Sequence, residues 1–350
     1  MQPLGRALAA LGLAPTLILT GQHDIDPAEF RLEQYEAVRL GCRGGADPHR
    51  HVRKVTRAVL PLMADEPDLI VVQGDTSSAL GGALAGFAAG VPVAHVEAGL
   101  RTRDPALPWP EEEYRTRIDA RAELLFAPTD LAALNLACER VPGEVRVTGN
   151  TGIDALLEVE ARLPAAIRHR SAPRLLVTCH RRESWGAGLA SIAAAVIALA
   201  QEGKVEIRVV LHPNPTVAGA MRDALSGSPG IRLEEPCSHP ELVRKMRDTD
   251  LILSDSGGIQ EEAPALGVPL LVLREKTERP EGIASGNMRL VGTSRDRIVG
   301  VARQLLNNPA ELAKMGRRAF PYGDGRAAPR IAAHIDRWLL ARGARHRRIA

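Results

Sequence analysis

Ser254-Asp-Ser-Gly-Gly-Ile-Gln-Glu-Glu-Ala-Pro264 is the stretch on which the reading of this chain turns. The apolar run Leu251–Leu253 enters it as a strand would, a Ser/Gly turn follows, and the turn opens a helix. Such a turn presents unbonded backbone N–H groups and the positive end of a helix dipole, which together suit a phosphate. Glu261 and Glu262 fall one turn inside the helix, placed to hydrogen-bond sugar hydroxyls. After one further strand, Thr277-Glu-Arg-Pro-Glu281 brings Arg279 to the same carboxyl edge of the sheet. An ordinary Gly-rich turn explains Gly257 and Gly258 alone. A phosphate seat, a carboxylate and an Arg together describe a nucleotide-sugar site.

Outward from this stretch, short apolar runs alternate with Ala-rich amphipathic segments. Candidate strands in the first half are Thr16–Thr20, Asp68–Gln73, Val91–Val96, Leu124–Ala127 and Glu144–Thr148. The second half offers Arg174–Thr178, Glu206–Leu211, Ile231–Leu233, Leu251–Ser254, Pro269–Leu273 and Met288–Val291. Continuous apolar strands separated by helices mean parallel sheets covered on both faces. The expected fold is α/β, with two Rossmann-type doubly wound domains over residues 1–153 and 170–332. Ligands then belong at the carboxyl ends of the strands, in a cleft between the halves. A last helix, about 333–350, is expected to cross back onto the first domain. The chain opens with helix-like Pro3–Leu11, where an open α/β sheet normally opens with a strand. The first N-terminal strand is therefore expected to be missing.

Bulk properties narrow the function. The 350 residues suit two domains of about 100–200 residues each. Net charge is +3 and only five of the 45 basic residues are Lys, with no basic block interleaved with aromatics. A nucleic-acid partner is not expected. Cys42, Cys138, Cys179 and Cys237 are scattered, without metal-ligand spacing, as in a reducing cytoplasm. The apolar run Ala7–Leu19 is interrupted by Gly12 and Pro15, unlike a signal peptide. No run reaches the roughly 20 apolar residues of a membrane span.

Other residues with chemistry to offer sit just past predicted strands. Asp75, in Gln73-Gly-Asp-Thr-Ser-Ser78, projects from a strand terminus or caps the next helix. Glu97 leaves a buried strand in His95-Val-Glu-Ala-Gly-Leu-Arg-Thr102. Glu111 and Arg115 lie in Pro108-Trp-Pro-Glu-Glu-Glu-Tyr-Arg115, where acidic residues also favour a helix N-terminus. His180, with Arg181 and Arg182 behind it, suits an anionic ligand and proton handling near neutral pH. His212 either faces the cleft or caps its strand.

These motifs, in this order, resemble the non-hydrolysing UDP-N-acetylglucosamine 2-epimerases. The likeness runs from Thr20-Gly-Gln-His23 to Thr293 and includes Trp109-Pro-Glu-Glu112, Phe126-Ala-Pro-Thr129, Val147-Thr-Gly-Asn-Thr151 and His180-Arg-Arg-Glu-Ser184. The resemblance implies a GT-B-like fold, a homodimer, and interconversion of UDP-GlcNAc and UDP-ManNAc without a cofactor or metal. It places Asp75, Glu97, Glu111 and His180 at catalytic positions and Arg115 at an active-site position. Ser256, Gly257, Gly258, Glu262 and Arg279 fall at UDP-binding positions. Gln22, Arg181 and His212 fall where some bacterial members bind a second, activating UDP-GlcNAc. Two residues depart from the family: Cys179 where Gly is common, and Tyr114 where Asn is common. The family begins with a strand and a Gly-x-Arg-Pro-Glu turn, and Met1-Gln-Pro-Leu4 resembles the segment just after that turn. Met1 is therefore expected to be an internal Met; 350 residues as the true product would lack that strand and two cationic ligand groups. A hydrolysing relative, a GT-B glycosyltransferase and an inactive UDP-sugar-binding paralogue are the alternatives; the three carboxylates expected in the cleft argue against the glycosyltransferase.

Overall fold

The structure, a computed structural model, describes residues 1–22, 35–45, 47–165, 172–179, 186–343 and 348–349. The chain divides into two units, Met1–Ala155 with Tyr322–Ala350, and Leu156–Pro321.

The first unit begins with α1 (Gln2–Ala10), β1 (Ala14–Leu19), β2 (Glu36–Arg39) and α2 (Pro48–Val59). Alternation follows: β3 (Ile70–Gln73), α3 (Ser77–Ala89), β4 (Val93–Val96), α4 (Glu111–Asp119), β5 (Leu124–Ala127) and α5 (Asp130–Glu139). Then β6 (Glu144–Val147) leads into α6 (Thr151–Glu160), within which the division falls. Strands β4 and β5 are buried at every position, as expected of strands covered on both faces. Thr76 and Thr129 cap α3 and α5 by accepting from Ala79 N and Ala132 N. Close packing of α3 on α2 depends on Gly81, where a β-carbon would sit 2.6 Å from Val55 Cβ.

The second unit is a six-stranded sheet made of β7 (Arg174–Thr178), β8 (Glu206–Val210), β9 (Ile231–Glu234), β10 (Leu251–Ser254), β11 (Leu270–Val272) and β12 (Met288–Leu290). Its helices are α7 (Ala187–Ala200), α8 (Pro215–Leu225), α9 (His239–Arg247), α10 (Gly257–Leu266), α11 (Glu281–Ala284), α12 (Arg295–Leu306) and α13 (Pro309–Met315). Strand order is β12-β11-β10-β7-β8-β9, with every pairing parallel. This is the doubly wound order of a dinucleotide-binding sheet, and its direction of winding reverses between β7 and β10.

From Tyr322 the chain is part of the first unit again. Tyr322 O accepts from Asn150 N at 2.7 Å, and the Asp154 carboxylate accepts from Ala327 N and Ala328 N at 3.1 and 2.8 Å. Those bonds satisfy the free donors at the start of α14 (Ala327–Ala341). A two-residue strand, β13 (Arg348–Ile349), pairs with Ala14 and Pro15 of β1, and Ile349 bridges Leu69 on its other side. Ile349 thus joins β2-β1 to β3-β4-β5-β6 and packs with Leu4, Leu69, Phe126 and Ile331. Ile349→Ala is expected to cost about 2 kcal/mol, the low end for a buried Ile, in urea denaturation.

Candidate active site

In the first unit, the carboxyl ends of β3 and β4 carry Asp75 and Glu97. Asp75 follows the Gly74 turn with its side chain 24% exposed, and Oδ2 accepts from Nη2 of Arg115. Arg115 is itself 1% exposed and also donates to Glu112 Oε2 at 3.3 Å. Glu112 in turn accepts from the backbone N–H groups of Thr102 (3.0 Å) and Arg103 (2.8 Å). Asp75, Arg115, Glu112 and the 102–103 turn therefore form one connected chain of charges and hydrogen bonds. Glu111 is half-buried at the first turn of α4, one helical turn before Arg115 and on the same face.

Glu97 has φ +70°, a left-handed conformation that costs a side-chain-bearing residue about 1–2 kcal/mol. Its Oε2 lies 3.7 Å from where a Gly74 β-carbon would stand, so the Glu97 carboxyl is drawn beside the turn that carries Asp75. Strain of this kind persists where the surroundings over-determine it, and it clusters at functional sites. Gly99, two residues on, has φ +86°, and a β-carbon there would meet Ala132 O at 2.3 Å. Gly99→Ala is expected to destabilise the protein by on the order of 3 kcal/mol, read as a lowered denaturation midpoint.

In the second unit, Ser256 stands at the N-cap of α10 without using its side chain to cap it. Gly257 and Gly258 form the first turn, and Gly258 is exposed, its absent β-carbon facing only Ser256 Oγ at 3.9 Å. The N–H groups of this turn are open to an anion, at the point where the sheet reverses its winding. Beneath it, Ser254 Oγ bonds Thr178 Oγ1 at 2.7 Å and accepts from Ser256 N at 3.1 Å. Cys179 Sγ donates to the fully buried Asp255 at 3.4 Å. A Gly at 179 offers no such bond, which gives this departure from the family pattern a structural part.

Glu262 is half-buried and its Oε1 meets His239 Nε2 at 2.8 Å. Arg279 is 6% exposed, and its Nε donates to Glu261 Oε1 at 2.7 Å while Nη1 donates to Glu278. Arg274 Nη1 donates to Glu278 as well, at 3.0 Å. Thr277 Oγ1 donates to Gln260 Oε1 at 2.5 Å, so the 277–279 turn is bolted to α10. The charge of Arg279 is engaged inside the protein.

The structure thus groups Asp75, Glu97, Glu111 and Arg115 in one unit, and Ser256, Gly257, Gly258, Glu262 and Arg279 in the other. His180 and Arg181 lie outside the described residues. Gln22 Oε1 accepts from Ser78 Oγ at 2.6 Å, next to the start of α3. His212 Nδ1 accepts from Asn214 N at 2.8 Å, a local turn bond. Tyr114 is a buried residue of α4, with the His49 ring edge-on at 5.8 Å. Burial, with Glu113 and Glu111 nearby, pushes its phenol up to about 12. Glu112, His95, Asp119, His239 and Glu278 escape sequence reasoning as site residues. Among the described residues no group of three or more His, Cys, Asp or Glu is placed to hold a metal ion, and no helix is long and apolar enough to cross a membrane.

Comparison with known proteins places the chain among relatives of one family. The sequence profile of UDP-N-acetylglucosamine 2-epimerase matches residues 6–336. The UDP-N-acetylglucosamine 2-epimerase of Salmonella typhimurium is 42% identical over 303 residues, 82% of this chain and 81% of that protein. The Neisseria meningitidis UDP-GlcNAc 2-epimerase, crystallised with UDP-GlcNAc, superposes with a TM-score of 0.86 at 33% identity, over 96% of this chain and 97% of that one. The S. aureus MnaA–UDP co-structure gives 0.86 at 33% identity, over 97% and 93%. With its profile match spanning nearly the whole chain and two parallel α/β units of this order, the protein belongs to the UDP-N-acetylglucosamine 2-epimerase family.

Proposed function

We propose that this chain interconverts UDP-GlcNAc and UDP-ManNAc by eliminating UDP and adding it back. The observation that carries the reading is the pairing of Asp75 with buried Arg115 beside the strained Glu97, in a member of this family. The C2–H of GlcNAc is not adjacent to a carbonyl, so its direct removal is prohibitively hard. Cleavage of the anomeric C1–O bond to UDP comes first and leaves an oxocarbenium-like centre that acidifies C2–H. A carboxylate takes that proton and a C1=C2 glycal forms. Protonation of C2 from the opposite face and return of a UDP oxygen to C1 complete the inversion. Substrate and product are isomers, so the cycle balances without net redox change.

Two proton carriers on opposite faces are required. Asp75, Glu97 and Glu111 are the candidates in the first unit, with His180 a fourth by resemblance. Ser256, Gly257 and Gly258 would hold the diphosphate through the N–H groups of α10, which stabilise the departing anion. Glu262, oriented by His239, would hold ribose hydroxyls, and Arg279 would keep Glu261 and the 277–279 turn in place. Gln22, Arg181 and His212 are retained as a proposed activating site, and a homodimer as the proposed assembly, which light scattering tests.

Product analysis tests the assignment. Incubation with UDP-GlcNAc, followed by anion-exchange chromatography, is expected to give UDP-ManNAc at a ratio reached equally from UDP-ManNAc. Accumulation of UDP with free ManNAc would identify a hydrolysing enzyme. Tight UDP binding with no product from either sugar would identify an inactive paralogue. A further expectation follows from the strain at position 97. Glu97→Gly is expected to abolish turnover while holding or raising the melting temperature, since relief of about 1 kcal/mol of strain offsets the added chain entropy. Retained turnover, or a large fall in melting temperature, would contradict it.

A further inference from the structure

We infer that His95 is a positioning residue of the epimerisation site, clamping the turn that carries Asp75 to the turn that follows Glu97. The inference rests on the proposed reading of Asp75 and Glu97 as proton carriers. His95 is fully buried in β4, two residues before Glu97. Its Nε2 meets Gly74 O, the carbonyl immediately before Asp75, at 2.9 Å. Its Nδ1 meets Asp119 Oδ1 on α4 at 2.5 Å. The other Asp119 oxygen accepts from Gly99 N at 3.1 Å and from Arg101 Nη2 at 2.8 Å. Arg101 is held further by Glu139 on α5, through Nε at 2.8 Å and Nη2 at 2.7 Å. A single side-chain pair, His95 with Asp119, thus ties the residue before Asp75 to the residue two after Glu97.

The chemistry of the partners fixes the protonation. Gly74 O accepts only, so Nε2 carries a hydrogen. Asp119 already accepts from an amide and a guanidinium, which makes it a carboxylate, and Nδ1 then carries a hydrogen as well. Burial alone would push the His95 pKa down. The Asp119 charge and hydrogen bond, the Gly74 carbonyl and Glu97 outweigh burial and raise it. Burial likewise opposes ionisation of Asp119, and His95 with Arg101 outweighs it and lowers that pKa. An imidazolium offers two N–H donors pointing apart, and here one meets the Gly74 carbonyl and the other the Asp119 carboxylate. His95, Asp119 and Arg101 are buried, and the pair adjoins the turns that carry Asp75 and follow Glu97.

Three measurements test the clamp. His95→Ala is expected to lower kcat about 100-fold, the cost of misplacing a reacting group by about 1 Å, with KM for UDP-GlcNAc within about threefold. His95→Gln combined with Asp119→Asn keeps a neutral version of the same bridge. The introduced glutamine amide would donate to Gly74 O and accept from the introduced asparagine amide, whose own oxygen still accepts from Gly99 N. That double variant is expected to recover kcat to within about tenfold of the parent, a rescue that loss of bulk packing does not predict. Equal loss in the double and Ala variants, with intact circular dichroism and melting, would overturn the inference, as would an Ala variant with near-parental kcat. Nitrogen-15 NMR of histidine-labelled parent protein decides independently of activity and of variant folding. Protonation of both His95 ring nitrogens at pH 7 is expected, and a bare Nδ1 would overturn the clamp. Absence of epimerisation by the parent would instead refute the proposed function, leaving the NMR result to judge the clamp alone.

Discussion

Asp75→Asn is expected to reduce epimerisation about 10³–10⁴-fold while leaving UDP affinity within about twofold, by single-turnover assay and calorimetry with UDP. Asn matches Asp in size and still accepts a hydrogen bond from Arg115, so the turn after β3 keeps its shape. It cannot take or return a proton, which is the contribution the reaction needs. Arg115 loses one of its two anionic partners and keeps Glu112 at 3.3 Å. The expected stability loss is therefore modest, about 1–2 kcal/mol, too small to explain the fall in rate. Turnover within tenfold of the parent would remove Asp75 from the proton-transfer machinery.

Arg279→Ala is expected to act on stability first. The substitution leaves Glu261 and Glu278, with side chains 5% and 0% exposed, short of a cation between them. Breaking a buried ion pair from one side costs about 3–5 kcal/mol. Urea denaturation of the second unit should shift by that amount, and Arg279→Lys should restore little of it, because an ammonium cannot span two carboxylates with a planar fork. The sequence pattern alone assigns Arg279 a direct hold on UDP. Its burial, with Nε and Nη1 held by Glu261 and Glu278, is the ground for the proposal that its effect on UDP runs through the 277–279 turn and α10. An unchanged denaturation midpoint with tenfold weaker UDP binding would restore the direct assignment.

The contrast between these two residues shows what the sequence discloses. Asp75 and Glu97 are visible because each follows a short apolar run and a turn, and strand ends in parallel sheets are where ligands meet the protein. Strands β7, β10 and β5 are visible for the same reason: continuous apolar residues, buried almost throughout. The doubly wound order of the second unit can be anticipated only as a class, since no local signal says that β10 lies beside β7. β2 (Glu36–Arg39) escapes because three of its four positions are exposed and its composition is that of a loop. β13 escapes because two residues carry no periodicity; its place is set by Ala14, Pro15 and Leu69, far away in sequence.

Charged partners are the least legible part of the site. Pro108–Arg115 contains three consecutive Glu residues, and nothing local separates their roles. Folding does: Glu112 turns inward to the 102–103 amides and Arg115, whereas Glu113 pairs with Arg117 on the outside at 3.0 Å. His95 and Asp119 are 24 residues apart, and His239 and Glu262 are 23 apart. Such pairs arise from which helix lies against which strand end, and a single sequence does not encode that in any spacing. The candidate residues at strand ends and turns are therefore mostly readable, and the charged partners packed behind them mostly are not.

In the proposed reaction the C2 proton is removed and replaced after UDP has left. The most direct test is the reaction run in D₂O from UDP-GlcNAc, followed by proton NMR and mass spectrometry of the recovered nucleotide sugars. UDP-ManNAc is expected to carry deuterium at C2, with UDP-GlcNAc gaining the same label as equilibrium is approached and Asp75→Asn suppressing both. UDP-ManNAc formed with its original C2 hydrogen would contradict elimination and re-addition through solvent-exchanging carboxylates.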